Sequence, residues 1–262
     1  MLLAIDIGNS SIGLGLFDGD RLTFTAKLSA DTKRSADEYA VIIRGLLEAH
    51  GITLPRITAA IISSVVPKLT YTIETSLSGQ DMPIYVVGNG VKTGISLKVD
   101  DPAQLGADIV TNAVAAVHTC GAPVAVVDIG TATVISAVND QKSLIGVAIA
   151  PGPMAAQEGL RDNAALIPYT ELTPPTGALG KNTSAALRSG MILGHACMID
   201  GMLDRILTEY RLPENTPVVV TGGLAPLVIS ECRHPLKHEP HLTLWGLYRM
   251  YVATVNVKSK KG

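Results

Sequence analysis

The sequence predicts an α/β protein built from two copies of one domain, and three observations carry that prediction. The chain opens on an apolar, strand-like run ending in an acid and a glycine turn, Leu2-Leu3-Ala4-Ile5-Asp6-Ile7-Gly8-Asn9-Ser10, and repeats it near the midpoint as Val124-Ala125-Val126-Val127-Asp128-Ile129-Gly130-Thr131-Ala132. Each copy resumes at once as a second strand, Ile12-Gly13-Leu14-Gly15-Leu16-Phe17 and Val134-Ile135-Ser136-Ala137-Val138. Elsewhere strand-like runs alternate with helical periodicity, the pattern of an α/β protein. Repetition on this scale implies a duplicated domain with a cleft between the halves. The repeated turn also points to phosphate or metal chemistry. Its carboxylate can hold a cation, and a turn without a side chain lets backbone N–H groups approach anionic oxygen.

The elements follow in order. Asp18-Gly19-Asp20 closes the opening hairpin, and Ser35 with Glu38 forms a capping-box pattern ahead of the stripe Tyr39, Ile42, Ile43, Leu46 and Leu47, which ends at Gly51. Ile57 to Val66 reads as a buried strand, Pro67 starts a short helix, and Pro83 to Val87 reads as another strand. Asp101-Pro102 suits an N-cap and first helical position, predicting a helix that stops before Gly121. The second half restarts at Pro123 with its own hairpin. A Gly/Pro-rich stretch from Gly146 to Pro153 leads into a helix, and Pro174-Pro175-Thr176-Gly177 marks a loop. The longest helix is expected from Ser184 to about Arg211, a strand at Val218 to Val220, and a final amphipathic helix from Leu242 to Val255. The expected division is residues 1–121 and 122–262.

Composition narrows the class. A chain of 262 residues that is 47% apolar can bury substantial cores, and a formal charge of −2 gives no reason to expect nucleic acid or an acidic membrane as partner. No uncharged apolar run approaches the ~18 residues a membrane span needs, and Asp6 follows the N-terminus too closely for a signal peptide. Cys120, Cys197 and Cys232 are scattered and odd in number. That suits a reducing, cytoplasmic setting better than a disulfide framework.

The duplicated Asp-Ile-Gly turns and the later Thr221-Gly222-Gly223 resemble the acetate and sugar kinase, Hsp70 and actin superfamily, whose two ribonuclease-H-like halves clamp ATP. Further segments narrow the resemblance. They are Ile62-Ser63-Ser64-Val65-Val66-Pro67, Leu105-Gly106-Ala107-Asp108, Asn112-Ala113-Val114-Ala115-Ala116, Asp128-Ile129-Gly130-Thr131-Ala132-Thr133, Ile149-Ala150-Pro151-Gly152, Gly180-Lys181-Asn182-Thr183, Thr221-Gly222-Gly223-Leu224-Ala225 and Leu242-Thr243-Leu244-Trp245-Gly246-Leu247. In this order and spacing they resemble type III pantothenate kinase over nearly the whole chain.

Phosphoryl transfer needs a carboxylate to take the acceptor's proton, with cations and amides to neutralise the phosphates. Asp108 suits that base, and makes an i, i+4 pair with Asn112 on a helix whose Ala107, Val110 and Val114 can face the core. The resemblance gives Asp108 the same role, with Gly106, Ala107, Ile109 and Thr183 on the acceptor side. It makes Asp6, Ile7, Gly8, Asn9, Ser10, Ser11, Ile12 and Gly13 the phosphate-binding loop of ATP, with Asp6 near Mg²⁺ through water. Thr131, Gly222 and Gly223 become further ATP contacts, and Asp128 the ligand of a monovalent cation, K⁺ or NH₄⁺. It also implies a homodimer.

Three departures weigh on the acceptor. Ile109 stands where the family has an arginine that helps hold the pantothenate carboxylate, and Val99 stands where it commonly has a substrate-contacting tyrosine. Val134 replaces the last threonine of the family's Gly-Thr-Ala-Thr-Thr. Losing a charge-assisted bond to a carboxylate costs ~1.5–3 kcal/mol, so ATP as donor is better supported than pantothenate as acceptor. Other motifs are weaker. Gly180-Lys181-Asn182-Thr183 lacks the leading glycine and final hydroxyl of a P-loop. Cys232, His234, His238 and His241 lie in a proline-broken connector and read against a zinc site. Gly190 and Gly194 read as close helix packing, and His50, His118 and His195 as ordinary helix or surface histidines.

The leading expectation is ATP-dependent phosphorylation of pantothenate to 4′-phosphopantothenate, the first step of coenzyme A biosynthesis. The alternatives are a related kinase with another hydroxylated acceptor, and a catalytically weak nucleotide-binding regulator.

Overall fold

The two Asp-Ile-Gly runs become the central strands of two sheets in the computed structural model, which describes residues 1–79, 82–88 and 90–259. In the first part of the chain, β1 (Leu2–Ile7), β2 (Ser11–Asp18) and β3 (Arg21–Ser29) form a meander, followed by α1 (Ala36–Ala49), β4 (Ala59–Ser64), α2 (Pro67–Leu77) and β5 (Ile84–Val86). Sheet order is β3-β2-β1-β4-β5, with β4 and β5 running parallel to β1. After β6 (Ser96–Leu97) and α3 (Ala107–Cys120) the pattern recurs. The strands β7 (Val124–Ile129), β8 (Ala132–Val138) and β9 (Ser143–Pro151) form a second meander. Then come α4 (Pro153–Asn163), α5 (Thr183–Glu209), β10 (Val218–Thr221), α6 (Ala225–Val228), β11 (Leu236–His238) and α7 (Leu242–Ser259). The second sheet runs β11-β10-β7-β8-β9-β6. Five of its strands therefore reproduce the first sheet's order and directions, and β6 extends the edge.

The registers confirm the duplication residue by residue. Asp6 stands across from Gly13 on β2 and beside Ser63 on β4, while Asp128 stands across from Val134 on β8 and beside Thr221 on β10. The first turn is one residue longer, because Ile7 pairs with Ile12 whereas Ile129 pairs with Thr133.

The first unit comprises Met1–Gly94, Ala103–Ala115 and the C-terminal segment from Leu242, and the second comprises Ile95–Pro102 and Ala116–His241. This differs from a linear division at residue 121, because α7 packs on β1, β2 and β4 of the first sheet. In the first unit Leu3, Ile5, Ile7, Ile12 and Leu14 meet Tyr39, Ile43, Leu69 and Ile73 of α1 and α2. Burial of such side chains is worth about 1.5–3 kcal/mol each. The opposite face lies against α7. Phe17 stacks on Tyr248 at 4.7 Å and meets Trp245 edge-on at 5.1 Å, and an ideal Cβ on Gly15 would lie 2.8 Å from Leu244. In the second unit Ala125, Val127, Ile129 and Ile135 pack against Ala196, Ile199 and Leu203 of α5.

Most elements lie where the sequence puts them. The capping box at Ser35 and Glu38 forms, with both reciprocal bonds present. One expectation needs correction. Asp101-Pro102 does not open α3. Pro102–Gln104 forms a separate 3₁₀ turn, and α3 starts at Ala107 because the Gly106 carbonyl accepts the N–H groups of Ile109 and Val110. The stretch from Gly146 to Pro153 leads into a helix as expected, running along the end of β9 and into α4. Its aliphatic residues pair with β8, with a register irregularity between Ala137 and Val138.

Gly246 of α7 sits directly on α3. An ideal Cβ there would overlap the Thr111 carbonyl and come within 2.7 Å of its Cγ2. Gly246→Ala is therefore expected to lower the unfolding free energy in urea by about 1–3 kcal/mol, despite alanine's better helix propensity. Gly45→Ala in α1, where the added Cβ meets nothing within 4 Å, is expected to raise it by about 0.5–1 kcal/mol.

Candidate active site

In the first unit, strand alternation decides where Asp6 points. Leu3, Ile5 and Ile7 enter the core with α1 and α2, so Asp6 lies on the opposite face, partly exposed at the strand's C-terminal end. Gly13 across from it would place a Cβ 3.9 Å from the Asp6 Cβ, so glycine leaves that flank of the acid open. The turn is held by Gly8 N–H donating to the Ser11 carbonyl at 2.9 Å and by Ala30 N–H donating to the Ser10 carbonyl at 3.1 Å. Asn9 and Ser10 are exposed, whereas Ile7 and Ile12 are fully buried. The two isoleucine side chains thus anchor the turn in the core.

The neighbouring strand ties this turn to Asp108. Val65 N–H, just past β4, donates to the Ile7 carbonyl at 3.0 Å, and a Cβ on Gly106 would lie 3.3 Å from the Val65 Cγ1. That same Cβ would overlap Asp108 Oδ1, so glycine lets the carboxylate take this position at the helix start. Asp108 Oδ1 accepts the Ile109 N–H at 2.8 Å. Burial pushes the Asp108 carboxyl above its ordinary range, against the lowering effect of backbone hydrogen bonds. Ala107 is half-buried, and Ile109 is 8% exposed. The residue in the arginine's place is therefore a packing residue. One turn on, buried Asn112 accepts the Thr243 hydroxyl of α7 at 2.8 Å.

In the second unit, Asp128 occupies the equivalent strand end and Val134 flanks it. Gly222, with φ +99°, completes its surroundings: an ideal Cβ would overlap the Ile129 carbonyl and stand 2.6 Å from Asp128 Oδ1. Leu224 N–H then donates to the Ile129 carbonyl at 3.0 Å, locking the Thr221-Gly222-Gly223 turn against β7. Gly152 presses equally hard on Gly130 and Thr131, and its N–H donates to the Thr131 carbonyl at 2.9 Å. Asp128, Thr131 and Gly222 are thus brought together, with exposed Gly223 beside them. Thr183 is exposed at the first position of α5, where the Asn182 side chain caps the helix by accepting the Ala185 N–H at 2.9 Å. The Gly180-to-Thr183 segment is a helix entrance.

Several residues acquire roles that the sequence did not suggest. His195, expected to be ordinary, is buried, and its Nε2 lies 2.6 Å from the Thr133 hydroxyl beneath the second turn. Buried Asp200 accepts the backbone N–H of Arg233 at 2.9 Å and of His234 at 3.2 Å, while Asp204 bonds His234 Nε2 at 2.8 Å. His234 therefore belongs to a clamp that pins the connector to α5. Among the described residues, no three His, Cys, Asp or Glu side chains are grouped to hold a metal. The three cysteines are free, and burial pushes the Cys232 thiol up to about 12. No helix among the described residues is long and apolar enough to cross a membrane.

Burial holds the His195 pKa below its ordinary value of 6.5. The unfolded chain then binds a proton that the folded one resists, so stability is lost as pH falls from that value toward the folded pKa. Urea denaturation from pH 7 to pH 5 is expected to show this loss, and His195→Gln to reduce the slope. An unchanged slope in the variant would assign the acid sensitivity to other groups.

Comparison with solved structures shows the fold. The chain is similar to a conserved Campylobacter jejuni protein assigned to the Baf family of transcriptional activators, at 16% identity and TM-score 0.61, covering 97% of this chain and 99% of that one. It is similar to a Sinorhizobium meliloti protein assigned as a 2-dehydro-3-deoxygalactonokinase, at 15% identity and TM-score 0.60, with 97% and 99% covered. It is also similar to the Clostridium difficile activator of 2-hydroxyisocaproyl-CoA dehydratase with bound ADPNP, at 10% identity and TM-score 0.55, with 99% and 97% covered. With the two equivalent sheets, these likenesses make the architecture a pair of ribonuclease-H-like units of the actin-like ATPase and sugar kinase kind. The sequence model described as type III pantothenate kinase matches residues 2–205, most of the chain. The protein belongs to the type III pantothenate kinase family.

Proposed function

We propose that this kinase transfers the terminal phosphoryl group of ATP to the primary hydroxyl of pantothenate, with Asp108 as general base. The observation that carries the proposal is the setting of Asp108. It stands in the first turn of a helix tied through Gly106 and Val65 to the strand ends that hold Asp6. A carboxyl raised by burial is a stronger proton acceptor once ionised, which suits a base acting near neutrality. Asp108 takes the hydroxyl proton as the new oxygen–phosphorus bond forms and the bond to ADP breaks.

The residues present fit the cations that the family implies. Asp6 is partly exposed, bare on its Gly13 flank, and belongs to no acidic cluster among the described residues. It would hold Mg²⁺ through the ion's water shell, since Mg²⁺ commonly keeps several waters and relies on substrate phosphates for other ligands. Gly8, Asn9 and Ser10 present the turn to the phosphates. Asp128 lies between Val134 and the glycine cradle of Gly222. It would hold a monovalent cation such as K⁺ or NH₄⁺. Such a cation supplies positive charge toward the phosphate tail, and Thr131, Gly222 and Gly223 would approach the nucleotide.

A second reading concerns the acceptor, because buried Ile109 and half-buried Val99 offer no charged donor for a carboxylate. A small hydroxylated acceptor other than pantothenate fits those two residues. Thr183 and the implied homodimer belong to the acceptor side of either reading. The regulator reading has less support, because a weak homologue has no need for a half-buried carboxyl with a raised pKa.

With pantothenate as acceptor, kcat/KM is expected to fall with acid as Asp108 takes up a proton. The midpoint should lie above the ordinary aspartate value of 3.8. Asp108→Asn is expected to lower kcat about 10²–10⁴-fold and remove that limb. A raised carboxyl pKa means its folding contribution is lost as pH rises through the folded value, so the variant should be at least as stable at neutral pH. Full activity in the variant would remove Asp108 from the chemistry.

A further inference from the structure

The hydroxyl of Ser63 is buried at 0% exposure and has no hydrogen-bond partner among the described residues. A buried, unpartnered hydroxyl carries a desolvation cost that alanine at the same place would avoid. Its position suggests what the hydroxyl is for. Ser63 is the register partner of Asp6 across the parallel pair β1 and β4, and alternation on both strands puts the two side chains on the same face. Ala60 and Ile62 turn the other way, into the core. Neighbouring strands lie about 4.8 Å apart, which leaves a serine hydroxyl within reach of a neighbouring carboxylate. The second copy places Thr221 beside Asp128 at the same register. An acid paired with a hydroxyl on the adjacent strand is thus part of the duplicated design.

We propose that Ser63 is a positioning residue for Asp6: its hydroxyl donates to the Asp6 carboxylate and sets its orientation when nucleotide and Mg²⁺ bind. The inference rests on the kinase reading above and deepens it by naming the group that aims the metal-side acid. Serine suits this task because its single rotor can turn between positions without moving the strand. Since it acts through Asp6, its contribution belongs to the Mg²⁺-loaded nucleotide.

The test compares the full-length wild type with Ser63→Ala, using ADPNP as probe. Kd is measured by calorimetry with Mg²⁺ and again with EDTA, and the ligand-free stability by urea denaturation. Loss of one charge-assisted hydrogen bond is expected to weaken binding with Mg²⁺ about tenfold. Binding in EDTA should change far less, and ligand-free stability should hold or rise. An unchanged Kd with Mg²⁺ would overturn the inference, as would an equal loss in both media or a loss that accompanies a destabilised ligand-free protein. Failure of the wild type itself to bind ADPNP would instead remove the kinase reading, and this inference with it.

Discussion

Both acids owe their positions to the two-residue period of a β-strand. On β1 and β7 the residues on either side of the acid are isoleucine or valine that must enter a core, so the acid is forced to the opposite face. A shift of one residue in either register would bury the carboxylate and expose the aliphatic side chains. The core therefore fixes the site, and its aliphatic packing holds Asp6 and Asp128 at the strand ends. The neighbouring strands then supply what each acid meets.

What differs between the copies is equally physical. Gly13 leaves Asp6 bare on one side, whereas Val134 covers the same flank of Asp128. Gly222 and Gly152 bring their chains so close to the second turn that a methyl group would collide with backbone carbonyls. An open acid suits a hydrated divalent ion and phosphates, and an enclosed one suits a less strongly hydrated monovalent ion. The proposed division of Mg²⁺ and a monovalent cation between the two acids rests on this difference. Asp108, the proposed general base, belongs to neither copy's turn. It depends on a glycine at the start of α3 that leaves room for its carboxylate.

Much of this was legible in the sequence. The duplicated strand-acid-glycine pattern predicted the paired sheets, and the Ser35 and Glu38 box placed α1 closely. What escaped had non-local causes. Asp101-Pro102 has the chemistry of a helix start, but the Gly106 carbonyl four residues after Pro102 provides the cap that α3 uses. The pairing of the stretch from Gly146 with β8 is likewise invisible along the chain. The assignment of α7 to the first unit rests on Phe17 meeting Trp245 and Tyr248, residues more than two hundred positions apart. At the site, the fit of Gly222 to Asp128 confirmed two motifs as neighbours. Ser63, Thr243 and His195 gained roles only from register, hydrogen bonding and burial. Ile109 stood out as a departure, and its burial makes it a packing residue.

The proposed reaction is an ATP-driven transfer to a hydroxylated acid by a protein that carries Ile109 in place of the family's arginine. The most direct measurement is ADP formation by the purified protein with and without pantothenate, in potassium buffer and in sodium buffer. The account predicts ADP formation that depends on pantothenate and is faster in potassium. ADP formation that pantothenate does not raise in either buffer would contradict it.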